Sequence, residues 1–379
     1  MTPDLDVLLD DLRTLVEVES PSLDLPAVEQ SAATLAALLE ERLGSAPELV
    51  PSPAGPHVHW RGEGEPRVLI LGHHDTVHPR GALAARPFSV IEGRVTGPGV
   101  FDMKGGIVLA IHAVAALGDR SGIELLFTAD EEVGSKASRD LIEERARACG
   151  AVLVLEAAAE GGAIKIGRKG TGDFDVIVHG RASHAGLEPE KGVNALVEAA
   201  HQVLAITGLG RPEVGTTVTP TVAQAGTADN VVPAQARVHV DLRVTELAEA
   251  ERVEAAMAAL EAVDPQARVE VTGGLNRPPM EEAATADLYA LAQKVAQGVG
   301  VPIPVGVAVG GGSDGNLTAA IGVPTLDGLG VTGGGAHADH EYAETATMLE
   351  RTRLLTALVA AIRSGPERPG RTAAETQQH

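Results

Sequence analysis

The sequence predicts an α/β protein in which a mostly parallel β-sheet, flanked by helices, is interrupted by an inserted α+β domain. Short continuous apolar runs alternate with helical patterns over residues 1–172, as buried parallel strands and their covering helices do. From 173 to 283 the strands instead alternate apolar and polar residues. The first pattern then returns over 284–365, and the polar tail 366–379 is expected to be disordered.

The first domain opens with two amphipathic helices, the second of which begins at Pro26 and ends near Gly44. Short runs of mainly apolar residues predict buried strands, and apolar residues recurring every three or four positions predict helices. The predicted strands are 68–71, 123–127 and 152–155, and the predicted helices are 105–117, 137–148 and, near the C-terminus, 344–363.

The inserted segment has the order strand, helix, strand, strand, helix, strand, which is typical of a small α+β sandwich with an antiparallel sheet. Its predicted strands include 174–179, 215–224 and 235–244, and its predicted helices are 191–206 and 246–263.

Composition narrows the classes of function. The net charge of −22 over 379 residues argues against a nucleic-acid partner, because phosphates would be repelled. The single cysteine, Cys149, excludes an intramolecular disulfide and a thiolate metal cluster, so a metal site would need imidazole and carboxylate ligands. The acidic N-terminus does not look like a signal peptide, and no apolar run reaches the ~20 residues of a membrane span. We expect a cytoplasmic protein with no membrane partner.

Three successive predicted strands end in acidic or imidazole side chains. His73 and Asp75 follow the first, Glu131 and Glu132 the second, and Glu156 the third. Ligands bind beyond the carboxyl ends of strands in open α/β sheets. Taken one at a time, the first motif has a hydrogen-bonded turn as its alternative, and the second has a solvated run of charge. Their coincidence favours one shared site, in which Asp75 can hold the second ring nitrogen of a metal-bound His73.

Two further segments carry candidate ligands. Asp102 lies between glycine-rich turns at the start of a helical pattern, where an N-cap role is the alternative. His337 and His340 follow three glycines, and the alternative is that both are surface-loop histidines. The glycine run 310–312, which includes Gly311, has backbone N–H groups that could form an anion nest for a substrate carboxylate.

Together these motifs resemble the zinc aminoacylase/carboxypeptidase family, which includes glutamate carboxypeptidase, acetylornithine deacetylase and succinyl-diaminopimelate desuccinylase. The resemblance covers nearly the whole chain, in order, and is closest to the glutamate carboxypeptidase branch. The motifs are His73-x-Asp75-Thr-Val, Gly99-Val-Phe-Asp102-Met-Lys-Gly-Gly, Asp130-Glu131-Glu132-x-Gly-Ser, Glu156, Ala182-Ser-His184-Ala-Gly, Gly-Val-Asn194-Ala-Leu, Gly-Gly-Gly-Ser-Asp314 and His337-x3-Glu341-Tyr.

The resemblance implies two zinc ions per subunit. His73 and Glu156 would bind one ion, Glu132 and His337 the other, and Asp102 would bridge both. This set of nitrogen and oxygen ligands also accepts Co²⁺ or Mn²⁺. The two ions would activate a shared water and polarise the scissile carbonyl.

The resemblance also implies roles outside the ligand set. Glu131 would be the general base, and the peptide bond after Asp102 would be cis. The inserted domain would be a lid that makes a homodimer, with His184 reaching into the partner subunit's site to stabilise the oxyanion. Asn230 would contact the substrate. Arg243 is either a bidentate clamp for a free carboxylate or an exposed strand residue.

The sequence departs from the branch at one point. A member that cleaves folate-type substrates carries an arginine shortly before the triple glycine, where this chain has Val307-Ala308-Val309. An apolar stretch cannot pair a second carboxylate, so a preference for glutamate does not follow, unless Arg168 or Lys169 compensates.

We therefore expect a homodimeric dizinc hydrolase that cleaves a small peptide or N-acyl amino acid at the amide bond beside a free-carboxylate amino acid. One alternative is a deacylase that removes acetyl or succinyl groups from a diamino acid. Another is a metal-binding or ligand-binding protein without turnover, but a binder has no use for a base such as Glu131.

Overall fold

The computed structural model describes residues 4–365, so the predicted disordered tail lies outside the described residues. The chain forms two compact units. The first takes in residues up to Ile166, Glu282–Val307 and the residues from Leu317 on, and the second takes in Gly167–Glu281 and Ala308–Asn316. The segment 308–316, which the sequence analysis grouped with the first domain, belongs to the second unit in this division.

The elements are numbered in chain order. The helices are α1 (Leu5–Val16), α2 (Leu25–Leu43), α3 (Ala82–Ala85), α4 (Gly105–Ala115), α5 (Arg139–Cys149), α6 (Ala195–Thr207), α7 (Leu247–Ala258), α8 (Glu282–Val299), α9 (Asp314–Ala320) and α10 (Met348–Ser364). The strands are β1 (Glu48–Val50), β2 (His57–Arg61), β3 (Val68–His73), β4 (Ser89–Ile91), β5 (Arg94–Thr96), β6 (Ile123–Thr128), β7 (Val152–Val154), β8 (Ile164–Arg168), β9 (Gly170–His179), β10 (Thr217–Ala225), β11 (Gln235–Val244), β12 (Arg268–Arg277), β13 (Gly306–Val309), β14 (Thr325–Leu326), β15 (Gly333–Gly334) and β16 (Tyr342–Glu344).

The sheet of the first unit has the strand order β1-β2-β6-β3-β7-β14. Strands β6, β3, β7 and β14 are parallel, whereas β1 and β2 extend one side as antiparallel strands. The three strands predicted from apolar runs are therefore neighbours, and the prediction of a mostly parallel sheet is confirmed.

The first four residues of strand β3, Val68 to Leu71, are all apolar because both faces of the strand are covered. Val68 and Ile70 pack into a core that includes α1, α2, α4, α8 and α10, whereas Leu69 and Leu71 pack into a second core with α5. Alternate side chains of a strand point to opposite faces. A strand buried on both sides must therefore be continuously hydrophobic, and this is the reason that the run was recognisable in the sequence.

Local sequence signals set the ends of α2. Asp24 precedes the helix and its side chain accepts the N–H of Ala27, Pro26 lies in the first turn, and Gly44 ends the helix at φ 80°. An acidic N-cap and a left-handed glycine satisfy backbone groups that the helix itself leaves unpaired. The predicted start and end of this helix are confirmed.

The second unit contains an antiparallel four-stranded sheet with the order β10-β11-β9-β12. Helices α6 and α7 pack on one face, where the buried side chains of β9 and β11 alternate with less buried ones. The predicted order of strands and helices is confirmed. The helix predicted over 246–263 ends earlier, at Ala258.

The sequence analysis did not predict a small sheet with the order β15-β16-β5-β4. Its strands are two or three residues long, which is too short for a periodic pattern to be visible. The pairing of β16 with β5 and β15 holds the turn around His337 beside the segment that leads to Asp102. Among residues 4–365, no helix combines the length and apolar character needed to cross a membrane.

Candidate metal centre

His73 is the last residue of β3, and the chain that follows orients its ring. Its Nδ1 lies 3.0 Å from the backbone oxygen of Asp75 and 3.4 Å from that residue's carboxylate Oδ1. Asp75 thus lies where the sequence predicted a partner for the second ring nitrogen of His73, and the nearer of its two oxygens is the carbonyl oxygen. An acceptor at Nδ1 keeps the proton there and leaves the lone pair of Nε2 for a ligand.

The Asp75 carboxylate also shapes the acidic turn that follows β6. Its Oδ1 accepts the N–H of Glu131 at 3.2 Å, and its Oδ2 accepts the N–H of Glu132 at 3.3 Å and the hydroxyl of Ser22 at 2.7 Å. These bonds to a buried carboxylate hold the chain in a tight turn directly after the strand. Two adjacent glutamates can therefore point in different directions.

Atoms of the type that bind metals gather in two groups that share His73. One group is His73, Glu131 and Glu156, and the other is His73, Asp102 and Glu132. Within each group the candidate ligand atoms all lie within 4.8 Å of one another. The neighbouring residues Glu131 and Glu132 thus belong to different groups, as their different predicted roles require.

Asp102 lies between two imidazole rings. Its Oδ1 is 3.3 Å from Nε2 of His73, and its Oδ2 is 3.2 Å from Nε2 of His337. A further carboxylate approaches the same nitrogen of each ring: Glu156 Oε1 is 3.6 Å from His73 Nε2, and Glu132 Oε2 is 3.1 Å from His337 Nε2. Each Nε2 thus meets two carboxylates, and Asp102, the carboxylate predicted to bridge, is the one that both imidazoles share.

Asp102 does not cap a helix. Helix α4 begins at Gly105, and the residue in the N-cap position is Lys104, which makes no capping hydrogen bond with its side chain. The peptide bond between Asp102 and Met103 is cis, as the family resemblance implied. The carboxylate of Asp102 meets the two imidazoles of the cluster rather than the N–H groups of the helix that follows.

Gly106 allows the start of α4 to approach the end of β7 closely. A Cβ built on Gly106 would lie 2.1 Å from the backbone oxygen of Leu155, the residue before Glu156. A Cβ built on Gly330 would lie 2.3 Å from the same oxygen. Because only a glycine lacks this atom, these two positions permit a backbone approach that helps to bring Asp102 and Glu156 together.

The carboxylates raise the pKa of both imidazoles. Burial lowers the pKa of His73, but its contacts with Asp102, Asp75 and Glu156 outweigh burial and raise it well above the usual value. Hydrogen bonds to Asp102 and Glu132 raise the pKa of His337 to about 10. Positive charge is thus strongly favoured between these carboxylates.

The residues fit a pair of divalent cations. His73 Nε2, Asp102 Oδ1 and Glu132 Oε1 are buried and make no well-formed hydrogen bond within the part of the chain that the structure describes. Buried polar atoms are normally hydrogen-bonded, and metal coordination is a recognised alternative partner. Imidazole and carboxylate are the ligands that Zn²⁺ accepts in catalytic sites. The His337 side chain is 53% exposed, so the cluster is open to a substrate on that side.

Two residues with roles implied by the resemblance are neighbours in the second unit. His184 forms a bridge with Val231, and the backbone oxygen of Asn230 accepts the N–H of Ala185 at 2.8 Å. The exposed His184 ring accepts the N–H groups of Gly186 and Leu187 at Nδ1, at 3.1 and 3.2 Å. The neutral ring therefore carries its proton on Nε2, which makes that atom a hydrogen-bond donor.

Arg243, the candidate carboxylate clamp, is paired within its own strand. Its Nε and Nη2 donate to the two carboxylate oxygens of Asp241 at 3.0 and 2.9 Å. Arg168 is buried, and its Nη1 donates to the backbone oxygens of Gly311 and Gly312 at 3.0 and 3.3 Å. Lys169 instead donates to the backbone oxygen of Gly215. Of the two cations considered as replacements for the missing arginine, only Arg168 contacts the glycine run.

Glu341 belongs to one of the motifs that carry the family resemblance, but no role was predicted for it. In the structure it accepts hydrogen bonds from the N–H groups of Gly99, Phe101 and Asp102, and from His78. The spacing of four residues from His337 is the only signal for it in the sequence. No pattern pointed to His78, because it contacts Glu341 across 263 residues of chain.

Comparison with known proteins shows the family to which the chain belongs. The profile of "Peptidase family M20/M25/M40" matches residues 69–361. Carboxypeptidase G2 of Pseudomonas sp. (strain RS-16) is 34% identical over 318 residues, which cover 80% of this chain and 76% of that protein. The succinyl-diaminopimelate desuccinylase of Gluconobacter oxydans (strain 621H) is 36% identical over 143 residues, 34% of this chain and 38% of that protein.

Solved structures share the fold. Aminopeptidase PepT from Bacillus cereus ATCC 10987 has a TM-score of 0.78 at 23% identity, with 96% of this chain and 100% of that chain covered. The Bacillus subtilis YXEP protein, described as a dinuclear metal binding peptidase from the M20 family, has a TM-score of 0.65 at 16% identity, with 94% and 98% covered.

Proposed function

Because the chain belongs to the peptidase family M20/M25/M40 and is a hydrolase of that family, we propose that it is a dinuclear metal-dependent exopeptidase. Its substrate is a small peptide or N-acyl amino acid, and the bond cleaved is the amide next to a free carboxylate. The observation that carries this proposal is the series of five side chains in which Asp102 stands between two imidazoles and each imidazole meets a further carboxylate.

His73 and Glu156 would hold one ion, His337 and Glu132 the other, and Asp102 both. Zn²⁺ is the proposed metal, with Co²⁺ or Mn²⁺ as substitutes, because one imidazole and two carboxylates per ion suit all three. When bound, the ions supply the Lewis acidity that activates water and polarises the scissile carbonyl.

Glu131 is the proposed general base. A carboxylate oxygen of Glu131 lies within 4.8 Å of candidate ligand atoms on His73 and Glu156, and its backbone N–H is fixed by Asp75. It takes a proton from the attacking water and delivers that proton to the nitrogen of the leaving amine. Asp75 contributes by orienting both His73 and the turn that carries Glu131.

Arg243 is the proposed partner of the substrate carboxylate, and Asn230 and Gly311 are further proposed substrate contacts. The guanidinium of Arg243 already binds a carboxylate in a two-pronged arrangement, through Asp241. A substrate carboxylate of the same geometry would take the place of Asp241. We expect Arg243→Lys to raise KM with a smaller effect on kcat, because a lysine cannot present two parallel donors.

A homodimer is proposed, with His184 acting in the partner subunit's site. Helix α6 exposes Leu196, Val197 and Leu204, each more than half exposed, and its neighbour β10 is an edge strand of the four-stranded sheet. An apolar helix face beside an unpaired strand edge favours association. The Nε2–H of His184 is a suitable donor to an oxyanion. Full activity in a monomer would contradict this assignment.

The test is an assay of zinc-loaded wild-type and Glu131→Gln protein on C-terminal dipeptides, N-acyl amino acids and succinyl-diaminopimelate. We expect hydrolysis of at least one carboxylate-bearing amide, with kcat lower by ~10²–10⁴-fold in Glu131→Gln at unchanged metal content. Absence of turnover on every substrate would refute the hydrolytic proposal. Unchanged kcat in the variant would refute the base assignment alone.

Deacylation is the second candidate, since a succinyl-diaminopimelate desuccinylase is 36% identical over 34% of this chain. A desuccinylase also cleaves an amide, but the released acid is succinate. Preferred turnover of succinyl-diaminopimelate over all dipeptides in the same panel would favour this candidate over the exopeptidase.

A further inference from the structure

The carboxylate of Glu341 collects hydrogen-bond donors from the loop that carries Asp102. Oε1 accepts the N–H groups of Phe101 and Asp102, both at 2.9 Å, and Oε2 accepts the N–H of Gly99 at 2.8 Å. Glu341 is 2% exposed, so these donors meet a charge in a nonaqueous environment. Hydrogen bonds to an ionised group are about twice as strong as neutral ones. The loop is therefore held by three strong backbone contacts.

His78 provides a fourth donor to Glu341, and a contact with Arg86 determines which ring nitrogen of His78 carries the proton. Arg86 donates through Nη2 to Nδ1 of His78 at 3.1 Å, so the neutral ring carries its proton on Nε2. That nitrogen is 2.7 Å from Oε2 of Glu341. The carboxylate thus receives a donor at each of four sites, which matches its full acceptor capacity.

The same residues also hold the turn that carries His337. Arg86 donates through Nη1 to the backbone oxygen of Ala338 at 3.2 Å, and the N–H of Glu341 bonds to that same oxygen at 3.1 Å. His337 itself has φ 63°, a left-handed conformation that is unfavourable for a non-glycine residue. Such a backbone persists only where its surroundings hold it in place.

We propose that Glu341 is a positioning residue for one of the two metal sites. It holds Asp102 and His337 at a fixed distance from each other. This inference rests on the proposed function. Glu341 contacts no candidate ligand atom: it acts on the backbone N–H of Asp102 and, through its own N–H and Arg86, on the residue after His337. Its loss affects the site formed by Asp102, Glu132 and His337 more than the site formed by Asp102, His73 and Glu156, because only the first site also depends on the turn that carries His337.

Glu341→Gln is the direct variant. The amide oxygen can still accept two N–H groups, but the amide NH₂ then faces a donor on Gly99 or His78, so the loop must shift. Glu124→Gln is the matched control. Glu124 is 3% exposed and accepts a histidine Nε2 at 3.0 Å and an arginine, yet none of its partners is a candidate ligand.

The experiment is a titration of metal-free protein with Co²⁺. Binding is monitored by calorimetry and by the visible absorption of the bound ion. In wild type and in Glu124→Gln we expect two binding events. In Glu341→Gln one of the two weakens by ~10–100-fold and its absorption bands shift, whereas the other is retained, as found when groups that orient metal ligands are removed. The thermal midpoint of each metal-free variant is measured beside it.

If Glu341→Gln loses thermal stability while both Co²⁺ affinities and both spectra match wild type, Glu341 is structural only and the inference is overturned. Equal weakening of both events would also contradict it. If Glu341→Gln does not fold, Glu341→Asp, which keeps the charge on a shorter side chain, is expected to show the same selective loss. Failure of wild type to bind Co²⁺ would refute the proposed function instead.

Discussion

Replacement of Gly106 by alanine tests whether close backbone approach at this position builds the metal centre. The added Cβ would lie 2.1 Å from the backbone oxygen of Leu155, whereas real Cβ atoms essentially never come closer than 3.0 Å to a neighbour. The start of α4 would therefore have to move by about 1 Å relative to the end of β7. Leu155 cannot easily yield, because its N–H is bonded to the backbone oxygen of Leu71 at 2.9 Å.

Two effects of opposite sign set the size of the change in the free energy of unfolding that Gly106→Ala causes. Alanine is favoured over glycine within a helix by about 1 kcal/mol. Overpacking of a close-packed interior costs about 1–3 kcal/mol, and here the clash is with backbone that has no alternative rotamer. We expect Gly106→Ala to lower the free energy of unfolding by roughly 1–2 kcal/mol. A displacement of about 1 Å between groups that share a site can also lower kcat by about 100-fold.

Gly298→Ala is the matched control, because Gly298 lies within helix α8 and a Cβ there meets nothing within 4 Å. This variant is expected to gain up to about 1 kcal/mol of stability and to keep full activity. Urea unfolding of both variants, with kcat measured on the substrate found in the panel, gives the comparison. A Gly106→Ala protein as stable and as active as Gly298→Ala would refute the reasoning.

Three further outcomes are expected. Burial raises the pKa of Glu124, but hydrogen bonds from His59 and Arg145 outweigh it and bring the pKa to about 2 from an ordinary 4.5, which corresponds to about 3 kcal/mol. This stability is present above pH 4.5 and is lost as the pH falls toward 2. The difference in unfolding free energy between wild type and Glu124→Gln should therefore be smaller at pH 3 than at pH 6. An unchanged difference would contradict the assignment. Removal of metal by a chelator should lower the thermal midpoint, and Zn²⁺ at 100 times its Kd should restore about 2.7 kcal/mol, measured by unfolding with and without the ion. Asp75→Asn places an NH₂ group against an N–H of the Glu131–Val133 turn, so kcat should fall by ~10–100-fold while the fold, followed by circular dichroism, is retained.

The buried strand at 68–71 could be read from the sequence, because a strand covered on both faces must be apolar at every position. Val68–Leu71 shows this most clearly, since its alternate residues enter two different cores. The polar residues after it could be assigned to one sheet edge for the same reason, as carboxyl ends of parallel strands meet there. The grouping of His73, Glu131 and Glu156 follows from that rule.

The positions of Asp102 and His337 could not be derived in the same way. Neither follows a strand of the main sheet, and they are brought together by the short strands β5 and β16, whose pairing leaves no periodic signal. Only the resemblance to a known family placed them in one site. Likewise, the hydrogen bond from His73 to the Asp75 carbonyl and the pairing of Arg243 with Asp241 depend on side-chain geometry that spacing does not determine.

By itself, the sequence determined the two kinds of sheet, the helices between their strands, and the residue types available for a metal site, because burial and backbone hydrogen bonding act locally along each element. Only the tertiary structure decided how the Asp102 loop is held. Its hydrogen-bond acceptor, Glu341, lies 239 residues further along the chain than Asp102, and the charged carboxylate was free to pair with any donor that the fold brought to it.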